Sequence, residues 1–156
     1  MQMNARFARA AIVASIVGGV VVTVYLVASR FVLAHDAPLH GLLVVMQWDA
    51  SNQFGDAAYQ GGWPMAGIGW LMDCVVSLVW ATVFAVLYVR VPYVRRRALF
   101  CGLLFGVFVM IVMIYGIVPL GHARRAPNTL MFIINTGLAH TVFFGLPVAW
   151  TVRMLL

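Results

Sequence analysis

Four apolar runs, each long enough to cross a bilayer, constrain this chain more than any other feature. They lie at about 10–32, 64–89, 98–120 and 129–152. A hydrocarbon core ~30 Å thick takes about 20 residues of α-helix to cross, and every run meets that length. Composition agrees: 64% of residues are hydrophobic, 9% are charged and the mean hydropathy is +1.00. A soluble domain carries about 25% charged residues. The fold class expected is all-α: an integral-membrane four-helix bundle forming a single transmembrane domain over residues 1–156.

Arginine placement orients the spans. All ten basic residues are Arg and all four acidic residues are Asp, a bias that a GC-rich bacterial genome also produces. Arg6 and Arg9 precede the first span, Arg90, Arg95, Arg96 and Arg97 fill the link between the second and third, and Arg153 follows the fourth. Only Arg30, Arg124 and Arg125 fall on the other side. The positive-inside rule then puts both termini in the cytoplasm of a bacterium, with the protein multi-pass in its inner membrane. Arginines at segment ends set topology, so the net charge of +6 does not point to nucleic acid. Val32-Leu33-Ala34 has the look of a signal-peptide cleavage site. The run before it exceeds a signal core of about 7–15 residues and Arg30 interrupts it, so the segment is expected to stay as a span.

The long outer connection has a pattern of its own. Leu39, Leu42, Leu43 and Met46 fall at i, i+3, i+4 and i+7, one apolar helical face. Pro38 suits the first turn of a helix and Trp48 favours an interface. A short helix lying in the outer interface is expected there. His35, His40, Asp36, Asp49 and Asp56 match no standard ligand spacing and read as solvated loop. His122, Arg124 and Arg125 form a small basic cluster suited to lipid headgroups.

Helices in lipid associate through close packing of small residues rather than through a hydrophobic drive. The first span offers Ala11, Ser15, Gly18, Gly19 and Val22. The second offers Ala66, Gly69, Asp73 and Ser77. On the third, Gly102 and Gly106 form a GxxxG that continues to Gly116, and the fourth carries Thr136, Gly137, His140, Phe144 and Pro147. The GxxxG reads as internal packing or as a dimer face.

Two ionisable residues stand out, Asp73 on the second span and His140 on the fourth. An Asp at a helix centre costs roughly 2.5–3.5 kcal/mol on insertion scales, so such groups face the bundle interior and find partners. The two spans run in the same direction. At ~1.5 Å per residue both groups lie about 13–17 Å below the outer edge of the core, and they meet if their stripes face each other. Ser77, Thr136 and Tyr115 are the polar residues placed to support them. Cys74 and Cys101 differ too much in depth for a disulfide and are expected to be free and buried.

Several stretches resemble a family of small, uncharacterised four-span bacterial membrane proteins. Asn52-Gln53-Phe54-Gly55-Asp56-Ala57-Ala58-Tyr59-Gln60-Gly61-Gly62-Trp63 is similar to its GPAAF-x-GG segment, and Gly67-Ile68-Gly69-Trp70 to its LGLxLHF region. Tyr115-Gly116-Ile117-Val118-Pro119-Leu120 is similar to its VVLPL end of the third span. Leu138-Ala139-His140 with Gly145-Leu146-Pro147 resembles its HxxxxGLP. A more distant resemblance is to YagU-like inner-membrane proteins. The resemblance covers residues 45 to 150 and implies fold and location, with no activity to carry over. The family pattern places a His where Asp73 stands, and a His–His pair suits haem or a metal better than Asp with His.

No G-x-S-x-G, H-E-x-x-H, P-loop or C-x-x-C appears, and there is no Glu, so the reading leans away from an enzyme. The first expectation is a structural or interaction subunit whose Asp73–His140 pair joins helices two and four. Its partners would be the lipid bilayer and a second copy or another membrane protein, with no nucleic acid and no cofactor. The alternatives are a small proton-linked transport or substrate-binding protein using Asp73 and His140, and a haem- or metal-binding protein.

Overall fold

Residues 2–124, 127 and 129–156 are described by the computed structural model, and they are helical with no strand among them. The first span is α1 (Gln2–Ala34). It is followed by α2 (Pro38–Phe54), the single turn α3 (Ala57–Gln60), the second span α4 (Gly62–Arg90) and a tight turn of helix α5 (Pro92–Arg96). The third span is α6 (Ala98–Ile111), a π-helical segment Val112–Ile117 and α7 (Val118–Leu120). The fourth is α8 (Leu130–His140), a second π-helical segment Thr141–Gly145 and α9 (Leu146–Leu155). The helices long and apolar enough to span a bilayer are Asn4–Ala34, Gly62–Arg90, Ala98–Leu120 and Leu130–Leu155. These are the four runs read from the sequence, the first extended at both ends.

Local chemistry explains the breaks. Prolines stand in the first turns of α2 and α5, where a missing N–H costs nothing. Thr129 caps α8, its Oγ1 accepting from the Phe132 N–H at 3.2 Å. Each π-helical segment ends two residues before a proline, Pro119 or Pro147. A proline ring clashes with the carbonyl four residues back. Those carbonyls belong to Tyr115 and Phe143, both inside the wider π turns, which move them aside.

The termini and the α4–α6 hairpin share one end of the bundle, where the core is close-packed. Ala14, Ala81, Phe84, Ala85, Val148, Ala149 and Val152 are buried there, and Phe84 meets Phe105 edge to face at 5.2 Å. The third and fourth spans cross through their glycines. A Cβ on Gly106 would overlap the His140 carbonyl oxygen, and one on Gly145 the Gly102 carbonyl oxygen. The GxxxG of the third span is therefore occupied by internal packing. Gly116 and Gly137 meet no such crossing. Ile16, Val20, Leu71, Val75, Leu104 and Phe108 are exposed and give the bundle an apolar surface of the kind that suits a bilayer.

At the other end, α2 lies across the bundle. It starts beside α1, where Gly41 faces Val27 and Arg30, and crosses α4 at Gly69. It ends against the third span, where the His122 N–H donates to the Asn52 carbonyl at 2.9 Å. Gln47 anchors it further, its amide donating to the Gly62 carbonyl at 3.3 Å. The apolar face read from the sequence is divided: Met46 is buried, whereas Leu39 is exposed.

Candidate functional site

Beneath α2 the bundle is hollow. A cavity of about 420 Å³ reaches from Ser29, Arg30 and Pro127 near α2 down to Phe144 in the middle of the bundle. Trp80 and Phe144 sit at its inner end. Trp80 packs edge to face on Phe105 and Phe108, closing the cavity toward the packed half.

Polar groups reach this cavity from four helices. Ser29 and Arg30 come from α1, Asp49 from α2, Asp73 and Ser77 from α4, and Asn135, Thr136 and His140 from α8. Asp73 and His140 thus border one space, as their matched depths suggest. No hydrogen bond or ion pair joins them among the described residues. His140 instead places Nδ1 2.9 Å from the Thr136 carbonyl of its own helix. A carbonyl can only accept, so Nδ1 donates, and the neutral ring carries no proton on Nε2. Ser77 and Thr136 line the cavity with them. Tyr115 does not: it follows the cavity-facing pair Met113 and Ile114, is rotated off their face and is exposed.

Asp49 is the main departure from the sequence reading, which put it in a solvated loop. It sits within α2, where Val45, Trp48 and Asp49 at i, i+3 and i+4 share the face over the cavity, while Met46 and Ala50 seat the helix on α4. Burial, and then the nearby Asp73 carboxylate, hold its carboxyl well above the usual carboxylate range. Neither Asp49 nor Asp73 accepts a hydrogen bond from a described residue.

Arg30 also borders the cavity, but its charge is taken. Its guanidinium pairs with Asp36, which is largely buried and lies 3.8 Å from the His40 ring as well. Asn135 escaped the sequence reading. It accepts the Tyr25 hydroxyl at 2.7 Å, linking the first and fourth spans, and Tyr25 stacks on Phe143 at 4.0 Å. A signal for it exists in the sequence, since Phe132, Asn135, Thr136, Ala139 and His140 follow one helical face.

The remaining polar residues lie outside the cavity. Arg124 donates to Asp56 at 2.7 Å and stands 5.5 Å over the Tyr59 ring. That hydrogen bond lowers the Asp56 carboxyl and raises the Arg124 guanidinium. Both side chains are exposed, so water screens the pair and it adds little to stability. Arg125, the other member of the expected basic cluster, lies outside the described residues. Cys74 and Cys101 are free, and Cys74 is exposed rather than buried. Among the described residues no three His, Cys, Asp or Glu side chains gather as a metal site would require.

Four apolar spanning helices around an ionisable cavity define the class: the chain is a multi-pass α-helical membrane protein. Neither protein-family models, nor curated proteins, nor solved structures give a match. The reading of the site therefore rests on its geometry.

Proposed function

We propose that the protein is a solute-binding, proton-linked inner-membrane protein of bacteria, its cavity opening toward the periplasm beneath α2. One observation carries the reading: Asp49 and Asp73 reach a single intramembrane cavity from different helices, and no described residue donates a hydrogen bond to either. Burying a carboxyl without a partner is costly, and within a membrane such residues mark ion, proton or substrate sites. His140 adds a third ionisable group to the same cavity. The arginines at the hairpin end supply the orientation, with both termini cytoplasmic. A structural clasp between Asp73 and His140 has less support, because no hydrogen bond or ion pair joins the two side chains among the described residues. Kinship with the small four-span family belongs to the same proposal and rests on its motifs alone.

Thiol accessibility tests the reading. In a Cys74→Ser, Cys101→Ser background, Val76→Cys faces the cavity, and Val75→Cys, one residue away, faces lipid. A small charged thiol reagent added to intact membranes should modify Val76→Cys and spare Val75→Cys. Equal inertness would mean that the cavity excludes water and solute, and the reading would fail.

A further inference from the structure

A second concavity lies on the outside of the bundle, between α1, α2 and α4. It is a groove of about 460 Å³ walled by Ile16, Val20, Trp63, Trp70 and Cys74. Thr23, Asp73 and Ser77 line both this groove and the internal cavity, so they form the partition between them. Position 19 adjoins that partition. A Cβ on Gly19 would stand 3.3 Å from Ser77 Oγ and 3.7 Å from Asp73 Oδ2. With glycine there, the approach to the Asp73 carboxylate from the groove is not narrowed by a side chain.

Charge selects what such a double site accepts. Besides the Cys74 thiol, the ionisable groups lining the two spaces among the described residues are Arg30, Asp49, Asp73 and His140. Arg30 is neutralised by Asp36. What remains is two carboxylates and an imidazole, a setting that repels anions and favours a cation. Aromatic faces add to this: Trp48 and Trp80 line the cavity, and Trp63 and Trp70 the groove. Indole faces attract cations, the more so away from water. A small hydrophilic cation has no use for an apolar groove that opens on lipid.

We propose that the joint site takes a hydrophobic organic cation, its charge held at Asp73 and Asp49 and its apolar body lying in the groove between α1 and α4. The inference rests on the cavity being a binding site and names the class of molecule it binds. The ligand reaches the site sideways from the bilayer through the groove, and its positive charge offsets two carboxylates that accept no hydrogen bond from a described residue.

Two ions of nearly the same shape and opposite charge test it: radiolabelled tetraphenylphosphonium and tetraphenylborate, with full-length protein in detergent. Saturable binding of the cation, displaced by excess unlabelled cation, is expected, with no saturable binding of the anion. Asp73→Asn and Asp49→Asn should each weaken cation binding at least tenfold. Gly67→Leu should weaken it similarly, because position 67 lines the groove and has open space around it. Labelling of Val76→Cys should survive Gly67→Leu, showing that the protein folds and that the internal cavity is intact. Equal binding of both ions, no saturable cation binding, or cation binding untouched by these substitutions would overturn the inference. If Val76→Cys still reacts in those cases, the solute-binding reading stands; if it does not, both fall.

Discussion

Gly69 of α4 lies against the Met46 carbonyl of α2 so closely that a Cβ there would overlap the oxygen and crowd the Ala50 N–H. This contact seats α2 across the bundle and turns Asp49, three residues past Met46, over the cavity that Asp73 borders from below. Without it the two carboxylates would not share a space. An exposed Gly69 would be an ordinary small residue on a membrane helix; here it sets the distance between the helices that build the site.

Gly69→Ala should therefore be costly. Overpacking a close contact costs about 1–3 kcal/mol when side chains can yield. Here the obstacle is backbone, so about 3 kcal/mol or more is expected, with α2 displaced. Gly67→Ala, two residues away in open space, should be neutral or gain up to about 1 kcal/mol from helix propensity. Thermal melts of both variants in one detergent check the contrast, and similar melting temperatures would show that the contact does not hold α2.

The spans were legible because a bilayer imposes a length and an apolar composition on any helix that crosses it. Their polar stripes were legible too, since helical periodicity gathers Ala66, Gly69, Asp73 and Ser77 onto one face. Asp49 was not, because nothing local distinguishes an Asp on a helix over a cavity from one in a solvated loop. That difference depends on Gly69, twenty residues later on a different helix, and on the rest of the seat. The Tyr115 expectation failed for a related reason. Matching depth places a residue along the membrane normal, while facing the cavity depends on rotation about the helix axis.

Tyr25 and Asn135 form the hydrogen bond that links the first and fourth spans. Tyr25→Phe removes the hydroxyl and keeps the stack on Phe143, so it isolates that bond. A loss of about 1 kcal/mol is expected, the usual net worth of such a bond. Asn135→Ala should cost more, since it strands the Tyr25 hydroxyl and also removes the donation from Asn135 to Ser29. Melting curves of the two variants decide it; equal losses would show that the hydroxyl finds water instead.

Asp49 makes stability depend on pH in a defined direction. Its carboxyl holds a proton to higher pH in the folded protein than in the unfolded chain, because burial and then Asp73 oppose its charge. Between the two values the folded state binds more protons, so stability falls as pH rises. The contribution is fully present below the ordinary carboxylate range and is lost as pH climbs through the raised value. Asp49→Asn should flatten this part of the stability–pH curve. An unchanged slope would assign it to other groups.

Asp49 and Asp73, which accept no hydrogen bond from a described residue, serve a ligand and do not hold helices together. A double-mutant cycle on stability at pH 8, in the absence of ligand, tests this claim most directly. Asn keeps the shape of Asp and removes the charge. Asp49→Asn and Asp73→Asn should each leave the protein as stable as the parent or more so. The double variant should gain less than the sum of the two, because each neutralisation already relieves part of the repulsion felt by the other. If either substitution lowers stability by more than about 1 kcal/mol, in the range of a lost hydrogen bond, that carboxylate is a structural tie and the claim is contradicted.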